Sequence, residues 1–82
     1  MTSIEAQTEQ VLKNLRAILK EAGGDFENVV KATVYTDDIS YFNKINEVYG
    51  KYFAKEVPAR AFVEVAALPK GVNVEIEAIA VI

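Results

Sequence analysis

Eighty-two residues without a single cysteine or histidine exclude disulfide frameworks, zinc fingers, thiol nucleophiles and Ser-His-Asp triads together. A net charge of −3, with the nine Lys and Arg scattered among acidic residues, argues against a nucleic-acid partner, which needs a concentrated basic face. The 51% apolar and 26% charged fractions are those of an ordinary globular chain, and this length fits one domain, residues 1–82, that gains stability by associating.

Thr2 and Glu5 have capping-box spacing, so a helix is expected from the start of the chain. Ile4, Val11, Leu12, Leu15, Ile18, Leu19 and Ala22 recur at helical spacing, with Gln7, Gln10, Lys13, Asn14, Arg16 and Lys20 largely on the wet side. Gly23-Gly24 ends that helix, because glycine accepts the left-handed cap. Val29 to Thr36 is β-branched and aromatic and reads as a strand. Val30, Ala32 and Val34 would share one face, and Val29, Lys31, Thr33 and Tyr35 the other. Asp37 and Asp38 then offer caps to a second helix, whose apolar stripe is Phe42, Ile45, Tyr49 and Tyr52, with Ile39, Val48 and Phe53 nearby. Pro58 stops that helix and leads into a second strand, Ala61 to Ala66. Leu68-Pro69-Lys70-Gly71 is a turn, and Asn73 to Ile82 a third strand, with Val74, Ile76 and Ala78 facing one way and Glu75, Glu77 and Ile79 the other.

The order helix, strand, helix, strand, strand predicts an α+β fold with two helices covering one face of a small sheet. The other face and the sheet edges are left needing cover. No signal peptide or transmembrane run is visible, so no membrane partner and a cytoplasmic or organelle-matrix location are expected. The acidic residues show no EF-hand spacing, and no metal or cofactor site is expected.

Few residues offer chemistry. Arg60, just after Pro58-Ala59 at the mouth of a strand, can grip a planar carboxylate through parallel hydrogen bonds, or it can make a structural ion pair. Glu75 and Glu77 project from one face of an apolar strand, where one of them can orient a water or pair with a cation. Glu64 reads the same way. Asn46 suits a helix-to-loop tether better than a ligand contact. Tyr35, Tyr41, Tyr49 and Tyr52 read as packing.

Seven stretches, taken together, resemble the Rid family, also called YjgF or L-PSP endoribonuclease. They are Val29-Val30-Lys31-Ala32-Thr33-Val34-Tyr35, Phe42 through Tyr49, Tyr52-Phe53, Pro58-Ala59-Arg60, Val63-Glu64-Val65-Ala66, Leu68-Pro69-Lys70 and Val74 through Ala80. The similarity runs from about Ile4 to Ile82. It implies a chorismate-mutase-like fold, a homotrimer with ligand clefts between subunits, and hydrolysis of reactive imines and enamines such as 2-iminobutyrate and 2-iminopropionate to 2-keto acids and ammonia. It implies Arg60 as the carboxylate anchor and Glu75 as the group beside the attacking water. The backbone of Ala61 and Phe62 would help to hold the ligand. Two features depart from the family pattern. The N-terminal strand hairpin that carries pocket-lining residues has no counterpart here, and Ala61-Phe62 stands where Ser and a small residue are usual. Phe62 is expected to narrow the pocket. A non-catalytic trimer that binds small carboxylates, or a scaffold, is the alternative expectation, and a ribonuclease a weaker one.

Overall fold

The computed structural model describes residues 3–53 and 58–82. Helix α1 (Ile4–Glu21) starts at Ser3, whose hydroxyl accepts from the Ala6 N–H at 3.1 Å. The expected cap, Thr2, lies outside the described residues. Its inner face buries Ile4, Leu12 and Leu19 and also Thr8, whose hydroxyl is satisfied by donating to the Ile4 carbonyl at 2.7 Å. Gln7 is not on the wet side, because its side chain bridges to Asn73. Ile18, expected inside, is 67% exposed. Gly23, at φ 91°, turns the chain out of the helix as expected.

A short 3₁₀ turn (Phe26–Asn28) leads into β1 (Val29–Thr36). Asp25 caps this turn reciprocally with Asn28 and also holds Arg16 at 3.1 Å and Lys20 at 2.9 Å. The end of α1 is thereby tied to the start of the sheet. Strand β1 has the expected ends, but its faces change sides at the beginning. A register shift between Val29 and Lys31 leaves Val30 as an extra residue. Val29 therefore joins Ala32, Val34 and Thr36 inside, and Val30 is 51% exposed. A bulge reverses the alternation that a regular strand would keep.

Asp38 accepts from the Ser40 N–H at 2.9 Å and starts a 3₁₀ turn (Ile39–Tyr41) that runs into α2 (Phe42–Tyr52). Ile45, Val48 and Tyr49 are buried from α2, with Phe53 at its end stacked on Tyr49 and edge-on to Phe26. Ile39 is half exposed. Strand β2 covers Ala59–Glu64, two residues earlier than expected, and β3 covers Val74–Ala80, inside its expected limits. Between them a turn at Pro69–Gly71 places Lys70 in the left-handed region (φ 62°).

The strand order is β2-β1-β3, with β1 parallel to β2 and antiparallel to β3. The parallel pair needs a long crossover, and α2 lies within it. Paired residues share a side of the sheet. Ala32, Val34 and Thr36 thus lie level with Arg60, Phe62 and Glu64 on one flank and Ala78, Ile76 and Val74 on the other, all toward the helices. Lys31, Thr33, Tyr35, Ala61, Val63, Glu75, Glu77 and Ile79 lie on the second face. Among the described residues no helix covers that face, and its Val63 and Ile79 are 38% and 56% exposed.

Candidate active site

Arg60 extends from β2 toward α2. Its guanidinium lies 4.8 Å from the centre of the Tyr49 ring and 5.8 Å from that of Phe42, and Nη1 donates to Asn46 Oδ1 at 2.6 Å. Phe42, Asn46 and Tyr49 stand at i, i+4 and i+7 on α2, so one stripe of the helix supplies all of these contacts. No carboxylate among the described residues lies within ion-pair distance of Arg60. Its charge is held by a neutral acceptor and two ring faces, which orient it without cancelling it.

Tyr49 is buried, and its hydroxyl has no hydrogen-bond partner among the described residues. Burial pushes its pKa up, and the nearby Arg60 charge offsets part of that rise. Phe62, two residues beyond Arg60 on the same face, meets Phe42 edge-to-face at 4.8 Å. An aromatic wall thus borders the guanidinium. Ala61 turns to the opposite face and is exposed, so only its backbone runs beside the guanidinium's strand position.

Glu75 is not beside Arg60. Glu75, on β3, pairs with Tyr35 of β1, whereas Arg60, on β2, pairs with Ala32 of β1. An odd spacing along β1 separates those partners, so the two side chains leave opposite faces of the sheet, with β1 between their strands. Glu75 also lines an open, mainly apolar groove of about 280 Å³ between α1 and β3, with Val11, Leu15, Ile18 and Val72. Glu77 shares the face of Glu75 and is exposed. Glu64 is occupied elsewhere, accepting from the Ile39 N–H at 2.7 Å and so fixing the turn before α2.

Asn46 is no helix-to-loop tether: it reaches a strand side chain. The sequence shows the helical spacing of Phe42, Asn46 and Tyr49, but which strand residue crosses above them depends on the β1–β2 register. Tyr49, read as packing alone, is also the surface on which Arg60 rests.

A family model described as Endoribonuclease L-PSP matches residues 1–82. The chain belongs to this family, the Rid family. Among its Rid relatives, the human 2-iminobutanoate/2-iminopropanoate deaminase is 54% identical over 78 residues, which are 95% of this chain and 57% of the human protein. Reactive Intermediate Deaminase A, a chloroplastic protein of Arabidopsis thaliana, is 51% identical over 95% of this chain and 42% of its own length. The crystal structure of RidA from an Antarctic Psychrobacter superposes with a TM-score of 0.95 at 48% identity, covering 100% of this chain and 67% of that one. The Escherichia coli YjgF gene product gives 0.93 at 43% identity, covering 99% and 66%. The Rid fold is thus shared over the whole of this chain, which spans less than two thirds of the length of these two curated relatives.

Proposed function

We propose that the protein hydrolyses small 2-imino and enamine acids, such as 2-iminobutyrate and 2-iminopropionate, to 2-keto acids and ammonia. The observation that carries this reading is Arg60: an oriented, half-buried guanidinium with no carboxylate of its own among the described residues. The deaminases among the relatives support the same chemistry. Arg60 anchors the substrate carboxylate through its remaining N–H groups, beside the backbone of Ala61 and Phe62. The imine carbon is already electrophilic, so water needs only a positioned base. Glu75 takes a proton as the water oxygen bonds to that carbon. That proton passes to the nitrogen, which takes up the C=N π pair, to give a neutral amino-alcohol; the hydroxyl proton then moves to the nitrogen as the C–N bond breaks, leaving C=O and ammonia. Positioning of this kind can supply several kcal/mol of barrier reduction.

The opposite-face placement of Arg60 and Glu75 means that one copy of the chain supplies only half of such a site. A homotrimer, which the family resemblance implies, would bring Arg60 of one copy and Glu75 of its neighbour into each cleft. The open sheet face, apolar at Val63 and Ile79, is the surface that association would cover. The domain is the 1–82 unit, and its place is the cytoplasm or an organelle matrix. No described helix is long and apolar enough to cross a membrane. A ribonuclease is disfavoured by the calculated pI of 4.9 and by Glu75 and Glu77 on one exposed face.

The test is 2-keto acid release from freshly generated 2-iminobutyrate, with Arg60→Ala beside the unaltered chain. Acceleration by the unaltered chain alone is expected. Equal rates in both would overturn the assignment. Arg60-dependent affinity for 2-oxobutanoate with no turnover would assign the protein to the carboxylate-binding alternative.

A further inference from the structure

We propose that Asn46 and Tyr49 are positioning residues that preset the Arg60 guanidinium for a planar carboxylate before any ligand arrives. This rests on the reading of Arg60 as a carboxylate anchor.

The chain has two arginines, and the structure treats them differently. Arg16 lies 5.8 Å over the Phe26 ring and meets the Asp25 carboxylate at 3.1 Å. Arg60 lies over the rings of Tyr49 and Phe42, and the acceptor in its hydrogen bond is the amide of Asn46. The same stacking is present in both places, but among the described residues a carboxylate pairs with Arg16 and none with Arg60. An aspartate at position 46 would convert the Arg60 site into a second internal ion pair. The amide accepts one N–H of the guanidinium fork, and the ring of Tyr49 fixes its plane. Four N–H donors of the fork remain, enough for two parallel hydrogen bonds to one carboxylate.

The Tyr49 hydroxyl has no hydrogen-bond partner among the described residues, so this role is assigned to the ring. A partner that orients a cation should satisfy its geometry without its charge, and Asn46 does so. Phe62, edge-on to Phe42, extends the aromatic wall that borders the guanidinium. The preset edge accordingly suits a short, flat 2-keto or 2-imino carboxylate better than a bulky one.

The experiment reads Arg60 first and activity second. With only two arginines, the guanidinium nitrogens of Arg60 are assigned by NMR through their loss in Arg60→Lys. Slow rotation about the guanidinium bonds is expected in the free protein and in Tyr49→Phe, which keeps the ring. Faster rotation is expected in Asn46→Ala. Equal rotation in all three would overturn the proposal. Asn46→Asp, an exposed substitution, should fold normally and weaken 2-oxobutanoate binding about tenfold to a hundredfold, the scale of a lost charge-assisted hydrogen bond. With 2-iminobutyrate, KM should rise by a similar factor while kcat falls less. Unchanged affinity and KM in Asn46→Asp would also overturn it. If Asn46→Asp loses affinity but even the unaltered chain shows no imine turnover, the positioning role stands and the deaminase reading fails.

Discussion

Asp25 gathers more polar contacts than any other carboxylate described above. It caps the Phe26–Asn28 turn and holds both Lys20 and Arg16. Those bonds, led by the one from Lys20 and followed by the Phe26 N–H, keep its carboxyl well below the usual range. A depressed folded value means that the stabilisation is complete above the unfolded value of about 3.9 and fades as pH falls below it. Asp25→Asn keeps a good capping residue but loses the ion pairs. It should lower Tm at pH 7, and the gap to the unaltered protein should narrow when melting is repeated near pH 3. A gap that stays constant would mean that the carboxylate's charge contributes nothing. At Arg60 the matching substitution is Arg60→Lys. An ammonium keeps the charge but cannot form two parallel bonds, so KM for 2-iminobutyrate should rise at least about tenfold, which steady-state kinetics would show.

The elements themselves are held by contacts of short reach. Leu12 on α1 has no exposed surface, and Leu12→Ala should cost about 2–5 kcal/mol in denaturant unfolding. A Cβ on Gly24 would come within 2.8 Å of Asn28 Oδ1 and of two Ile82 side-chain carbons. Ile82 can move, but Asn28 Oδ1 is accepting from the Asp25 N–H at 2.9 Å. Gly24→Ala should therefore destabilise by about 1–3 kcal/mol, seen as a lowered denaturation midpoint. Most elements were legible because each is amphipathic on its own: the helical repeats around Leu12 and Ile45, and the β-branched run of β1. The bulge was not legible, because Val29 and Val30 are identical side chains and only pairing with Ala80 and Ile79 decides which one turns inward. The first residues of β2 were hidden by Pro58, which suggests a later start. At the site, Arg60 and Glu75 stand out by residue type and family resemblance. The Asn46–Arg60 bond and the opposite faces of Arg60 and Glu75 exist only once β2 and β3 flank β1.

For the molecule as a whole, those opposite faces lead to a mixing experiment. Arg60→Ala and Glu75→Gln should each be inactive alone. Unfolded together and reassembled in equal amounts, they should regain activity at about one site in four, where an intact Arg60 from one chain meets an intact Glu75 from another. Activity that stays absent after mixed oligomers are verified by mass would show that both groups must come from one chain. The strand order has a further consequence, for motion. Every strand–strand contact in this sheet passes through β1, while β2 and β3 each keep one side free of described strands. In hydrogen exchange on the isolated chain, the β1 amides bonded to either neighbour should be released only by global unfolding. Outward-pointing amides of β2 and β3 should exchange early. Assembly would slow exchange at whichever edge it covers, so the same measurement on the oligomer would show which edge meets a neighbour.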